Sequence, residues 1–292
     1  MLFEDISDLP LVSERAIIIN HNTKLVTTLA LLSTLRYASM PVLLVECESS
    51  DGSLEHFQSM MGHNKFDIVK APLRTHGQTL DWIFEHVLSD KILLVDSDLE
   101  INNSCILDFF KEYIDEPSVF ACGFLNGPGW LNNPAFGDLD GALYHERPWM
   151  PLVLFKVDPV RQAINNGRSF NAFRWDNEYS LFPLLSFIRA KSRVMRVLLR
   201  KGPQSLRRTF YGAKPSLVYF DTGAHIYDYL RYIRKSYFVG LPEPIHPKYV
   251  THFFGVTRHV LNPHDTTGGG GLEKIEKTVK QRLLEVYEIN AF

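Results

Sequence analysis

Lys91-Ile92-Leu93-Leu94-Val95-Asp96-Ser97-Asp98 is the stretch on which the fold turns. Four apolar residues run without interruption into two aspartates one residue apart. A short apolar run with polar punctuation reads as a strand buried on both faces, and such strands belong to sheets covered by helices. Toward the N-terminus three similar runs precede it: residues 16–20 (AIIIN), 41–45 (PVLLV) and the shorter 66–70 (FDIVK). Apolar spacing at helical period predicts helices over 25–37, 53–61 and 79–88 between them. Strand–helix alternation over the first hundred residues predicts an α/β fold on a mostly parallel sheet. Polar clusters follow the runs, Asn20-His21-Asn22 after the first and ECESSDGS (46–53) after the second. They fall at the carboxyl ends of strands, where open α/β sheets bind ligands.

Beyond Asp98 the alternation weakens. A helix is expected over 105–114, strands over 119–124 and 151–157, and a helix over 159–165. The Gly/Asn/Pro-rich segment 125–147 reads as a site loop rather than a linker. Between Glu178 and Asp221 stand nine basic residues and no acidic one. On a helical grid over 181–201, Arg189, Arg193, Arg196 and Arg200 share one face and an apolar stripe the other. That pattern suits either an interfacial helix on an anionic membrane or a basic surface helix packed on the domain. The glycine run 268–271 then precedes an amphipathic helix over 272–289, with Leu272, Ile275, Val279, Leu283 and Val286 on one stripe. The stripe is expected to pack on its own domain or in a homodimer contact.

The whole-chain numbers narrow the partners. Among 292 residues, 33 Asp plus Glu oppose 31 Lys plus Arg, a formal charge of -2. No global basic field exists to collect nucleic acid, so an anionic ligand must be held locally. Cys47, Cys105 and Cys122 form neither a CxxC pair nor an even framework and read as three core thiols in a reducing compartment. The first ten residues carry Glu4, Asp5 and Asp8 and lack the basic start and apolar run of a signal peptide. The uncharged stretch 118–137 is too broken by Gly and Pro to span a membrane. A cytoplasmic location, or attachment at the inner face of the membrane, is therefore expected.

Two aspartates at a strand end raise each other's pKa if buried together, a cost that a divalent cation removes. With the other strand ends, the chain resembles the GT-A glycosyltransferases, especially the inverting family 2 group, over roughly residues 15–260. In that family a first strand ends in a Tyr-Asn-like dipeptide, here His21-Asn22, and a second precedes an Asp-x-Gly-Ser-x-Asp-Gly-Ser turn. Here Glu46 stands where the family has Asp, and Ser50-Asp51-Gly52-Ser53 matches. The DxD strand end is Asp96-Ser97-Asp98, and Thr251 to His259 looks like the family's terminal His-x-x-Gly-x-Ser segment.

The resemblance implies one GT-A domain over 1–267, with a nucleotide-binding half at about 12–100 and an acceptor half at about 101–267, then the 268–292 extension. It implies a UDP- or GDP-sugar donor and a glycan or lipid-linked acceptor, as in polysaccharide biosynthesis. Asn20, Asn22, Glu46 and Asp51 would line the nucleotide pocket, with Arg74 or Gln78 approaching it. Asp98 would hold Mn²⁺ or Mg²⁺, with Asp96 on the ribose or the metal shell, His252 on metal or diphosphate, and Arg258 on phosphate. Carboxylates suit those hard cations rather than zinc. An inverting transferase also needs a carboxylate to take the acceptor's proton. Asp221, in Phe220-Asp221-Thr222-Gly223, is the first candidate; Asp176 and Glu178 are the second. The rivals are a GT-A scaffold that binds without turnover, a haloacid-dehalogenase-type phosphatase and a sugar-nucleotide pyrophosphorylase. The phosphatase wants Thr or Val where Glu100 stands, and the pyrophosphorylase wants a basic Gly-rich first loop.

Overall fold

A computed structural model describes residues 1–131, 142–176, 217–241, 248–253, 256 and 272–289. The segment 181–201, Glu178 and Arg258 lie outside them. The four runs form strands β2 (Val12–Asn20), β3 (Val42–Glu46), β4 (Asp67–Lys70) and β5 (Ser89–Val95). Helices α1 (Lys24–Tyr37), α2 (Ser53–Met60) and α3 (His76–His86) connect them. The expected helix over 105–114 is α4 (Cys105–Ile114), and strand β7 (Val119–Asn126) follows. After β10 (Arg147–Lys156) comes α5 (Val157–Asn165). With β1 (Leu2–Phe3) and β13 (Tyr237–Gly240), these strands make an eight-stranded sheet ordered β1-β4-β3-β2-β5-β10-β7-β13. The pairs from β1 through β5 are parallel, whereas β10 runs antiparallel to both β5 and β7. The fold is α/β on a mixed, largely parallel sheet.

Side-chain alternation explains why the strands read as unbroken apolar runs. Ile17, Leu43, Val69, Ile92 and Leu94 pack with Leu80, Ile83 and Phe84 of α3 on one face. Ile18, Leu44, Ile68, Leu93 and Val95 pack with Ala30 and Leu31 of α1 and Phe110 of α4 on the other. Both faces are covered, so the strand centres are apolar.

The terminal helix α7 (Leu272–Tyr287) lies against α1 of the same chain, where Val279 and Leu283 pack with Val26, Leu29 and Leu32. Helix α1 therefore buries one side on the sheet and another under α7, which accounts for its nearly uncharged sequence.

Three readings are corrected. The segment 125–147 is not a bare loop: β8 (Gly129–Trp130) and β9 (Leu143–Tyr144) flank residues 132–141, which are outside the description. Both strands enter a second sheet ordered β11-β12-β9-β8, with β11 at Phe173–Asp176 and β12 at Leu217–Phe220. The strand expected over 151–157 begins at Arg147; Pro148 and Pro151 disguise it because proline donates no ladder hydrogen bond, and its pairing with β7 shifts between Pro148 and Val153. Cys47 and Cys122 are buried core thiols, but Cys105 is exposed at the start of α4. No helix among the described residues is long and apolar enough to cross a membrane.

Candidate active site at the carboxyl edge of the sheet

Register places Asn20 beside Glu46 at the ends of β2 and β3. Asn20 is fully buried; its Nδ2 donates to Glu46 Oε2 at 2.5 Å and to Ser49 Oγ at 3.1 Å. Its Oδ1 accepts from the hydroxyls of Thr23 and Thr27 at 2.9 and 2.8 Å. Burial pushes the Glu46 carboxyl above its ordinary range, against the hydrogen bonds from Ser49 and Asn20. Asn22 turns the chain in the left-handed region at φ 52°, which asparagine tolerates, and its Oδ1 accepts from Ser50 N at 2.6 Å. The loops after β2 and β3 are thus stitched into one wall.

Asp51 stands in that wall as a double helix cap. Its Oδ2 accepts from Lys24 N at 3.1 Å, at the start of α1. Its Oδ1 accepts from the N and Oγ of Ser53, at the start of α2, at 3.1 and 2.5 Å. Arg74 and Gln78 line a surface groove with Asp81, Trp82 and Glu85. The Arg74 guanidinium stacks on Trp82 at 5.1 Å. Gln78 closes a capping box at the start of α3, exchanging hydrogen bonds with Thr75.

Beyond β5 the chain turns through Asp96-Ser97-Asp98 into β6 (Leu99–Ile101), which pairs antiparallel with β14 (Val250–His252), Leu99 opposite His252. That pairing sets His252 Nε2 3.0 Å from Asp98 Oδ1 and 3.9 Å from Asp96 Oδ2. One ligand atom from each of Asp96, Asp98 and His252 lies within 4.8 Å of the others. Asp98 is buried, whereas a third of the Asp96 side chain is exposed. Burial first, and then the charge of Asp98, push the Asp96 carboxyl up; His76, His252 and Arg147 pull it the other way. Trp149 meets the His252 ring edge to face at 5.2 Å.

Asp221 follows β12, in the turn that opens α6 (Ala224–Asp228). Its Oδ2 accepts from Arg147 Nη2 at 2.6 Å and from Tyr144 Oη at 3.2 Å, and its Oδ1 from Thr222 N at 2.8 Å. Burial pushes the Tyr144 hydroxyl up to about 12. Gly223 closes this turn at φ 83°, and a Cβ there would lie 2.7 Å from Met150 Sδ, so only glycine fits. Asp176 ends β11, with its side chain outside the description.

The sequence reading missed Arg147, Tyr144 and His76. It looked for polar residues at the carboxyl ends of strands. Strand β10 runs antiparallel, so its amino end, Arg147, arrives at the same edge. The polar Tyr144-His145-Glu146-Arg147 run ahead of the apolar strand was the available signal.

No family model and no curated protein matches the chain. Solved structures similar to it include glycosyltransferases. The mannosyltransferase PcManGT from Pyrobaculum calidifontis, in complex with GDP-Man and Mn²⁺, is 12% identical over 55% of this chain and 48% of its own, with a TM-score of 0.40. S. aureus TarS 1–349 is 15% identical over 55% of this chain and 50% of its own, with a TM-score of 0.38. The galactosyltransferase LgtC, in complex with donor and acceptor sugar analogs, is 10% identical over 51% of this chain and 59% of its own, with a TM-score of 0.36. The chain thus spans about half the length of the first two. At these scores the fold rests on strand order and register, and the chemistry on the residues of the site.

Proposed function

We propose that the chain is a metal-dependent glycosyltransferase that moves a sugar from a UDP- or GDP-sugar to a hydroxyl of a glycan or lipid-linked acceptor, with inversion. The observation that carries this reading is the convergence of Asp96, Asp98 and His252, from two segments remote in sequence, at the edge that also holds the Asn20–Glu46 pair. Two carboxylates and an imidazole within 4.8 Å are a donor set for Mn²⁺ or Mg²⁺, and a cation there would offset the burial and the Asp98 charge that together raise Asp96. When bound, the ion would offset the charge that develops on a leaving diphosphate.

The other roles belong to the chain itself. Glu46 and Asn20, backed by Asn22, form the wall against which the base rests, and Asp51 holds that wall by anchoring the starts of α1 and α2. Arg74 and Arg258 supply positive charge toward the nucleotide, and Gln78 fixes the turn that presents Arg74. Asp221 takes the acceptor's proton on a carboxylate whose direction Arg147 and Tyr144 set. Asp176 or Glu178 places the acceptor or the loop around it.

The test is a panel of UDP- and GDP-sugars with the full chain and Mn²⁺, reading donor turnover and thermal stabilisation by the nucleoside diphosphates. Metal-dependent stabilisation together with turnover is expected. Stabilisation without turnover on any donor would leave a binding scaffold, and the absence of both would overturn the reading.

A further inference from the structure

Glu100 is 1% exposed, two residues past Asp98, on a strand that pairs three residues with β14. The Arg282 guanidinium of α7 spans its carboxylate: Nε lies 3.0 Å from Oε2 and Nη2 lies 2.6 Å from Oε1. This is a two-pronged, charge-assisted contact, the geometry in which arginine binds a carboxylate most firmly. The same helix grips the partner strand. Phe253, next to His252, donates its N–H to Asp98 O at 2.8 Å and packs with Val279 and Leu283 of α7. One helix therefore holds both sides of the ladder that sets His252 against Asp98, one side by charge and the other by apolar contact.

Asp96, Asp98 and Glu100 also form an alternating acidic triplet, of which only the first two join the cluster with His252. Removing one partner of a buried ion pair leaves an uncompensated charge, which is strongly destabilising and draws the carboxylate toward the nearest cation. We infer that Arg282 is a positioning residue of the metal site: by neutralising Glu100 it fixes the β6–β14 register and keeps the third carboxylate out of the ligand set. The inference rests on the metal-binding reading proposed above.

The experiment measures Mn²⁺ affinity of the full chain from the electron paramagnetic resonance of free Mn²⁺, well below the melting temperature. Arg282→Met should weaken Mn²⁺ binding about 10- to 100-fold, the usual effect of losing a residue that supports metal ligands. The double variant Glu100→Gln/Arg282→Met, which removes both charges, should recover most of that loss. Arg282→Lys, which keeps the charge without the fork, should fall between wild type and Arg282→Met; if Arg282→Met does not fold, a loss in Arg282→Lys decides the point. Wild-type affinity in Arg282→Met, even with a lowered melting temperature, would make the contact merely structural and overturn the inference. So would a double variant as weak as the single one. A wild-type chain that does not bind Mn²⁺ would fail earlier, at the metal reading itself, and take the inference with it.

Discussion

Arg147 Nη2 donates to Asp221 Oδ2 at 2.6 Å, tying the start of an antiparallel strand to the turn after β12. The same guanidinium reaches Tyr144 through Nε, so one side of the Asp221 carboxylate is held by two donors. In the proposed reaction Asp221 takes the acceptor's proton, and this clamp sets the direction in which its carboxylate points. Asp221→Asn should lower kcat about 10²- to 10⁴-fold and leave donor binding near wild type. Steady-state kinetics with a donor-binding titration checks this. If Asp176→Asn or Glu178→Gln shows that signature and Asp221→Asn stays active, the proton acceptor lies in the 176–178 segment instead.

Asp98 is buried 3.0 Å from His252 and beside a second carboxylate, so its charge is the one that a cation would compensate most directly. Asp98→Asn should abolish Mn²⁺ binding together with metal-dependent stabilisation by nucleoside diphosphates. Calorimetric titration of Mn²⁺ reads the first and a thermal melt the second. Wild-type Mn²⁺ affinity in the variant would place the metal elsewhere.

Burial raises the Glu46 carboxyl above its ordinary value of 4.5. A carboxyl with a raised pKa in the folded protein contributes stability that is present below the unfolded value and lost as pH rises through the folded one. Wild type should therefore lose stability relative to Glu46→Gln as pH rises from about 4 toward neutrality, the range starting at the ordinary glutamate value. Melting curves of both proteins across that range decide it, and parallel profiles would contradict the assignment.

The first hundred residues were legible in the sequence because their physics is local. Strands β2 to β5 are largely apolar on both faces, their helices carry the right period, and Asn20, Asn22, Glu46, Asp51, Asp96 and Asp98 sit at or just after a strand end. His252 was found by resemblance alone; nothing local says that β14 will lie antiparallel to β6. The chain beyond α4 was poorly legible for two reasons. Prolines hide the start of β10, and strands of two to four residues such as β9, β11 and β12 are too short to show alternation. Asp51 illustrates the remaining ambiguity: an acidic turn residue reads as a ligand contact or as a cap, and its hydrogen bonds to Lys24 and Ser53 show it capping both α1 and α2.

The cysteines offer a check on burial. Cys47 and Cys122 are buried and their thiols are pushed up to about 12 by desolvation, whereas Cys105 is exposed. Since the thiolate is the reactive form, native labelling with iodoacetamide near pH 8 should modify Cys105 alone, and labelling in denaturant all three. Peptide mapping by mass spectrometry distinguishes the sites. Native modification of Cys47 would show that the wall behind Glu46 opens to solvent.

Leu283 tests whether the terminal helix belongs to its own chain. It is fully buried in the cluster shared by α7 and α1, while its neighbour Leu284 is 52% exposed. Removing a buried leucine forfeits both transfer free energy and packing, typically about 2–5 kcal/mol. An exposed one usually matters within about 0.5 kcal/mol. Leu283→Ala should therefore cost several times what Leu284→Ala costs in denaturant unfolding, at any protein concentration. A dimer formed through this stripe behaves differently, because its stability contains an association step and its melting temperature rises with concentration. Melts over a hundredfold concentration range separate the cases: an unchanged midpoint with a large Leu283→Ala loss places the stripe against α1, and a concentration-dependent midpoint would place it against a second chain.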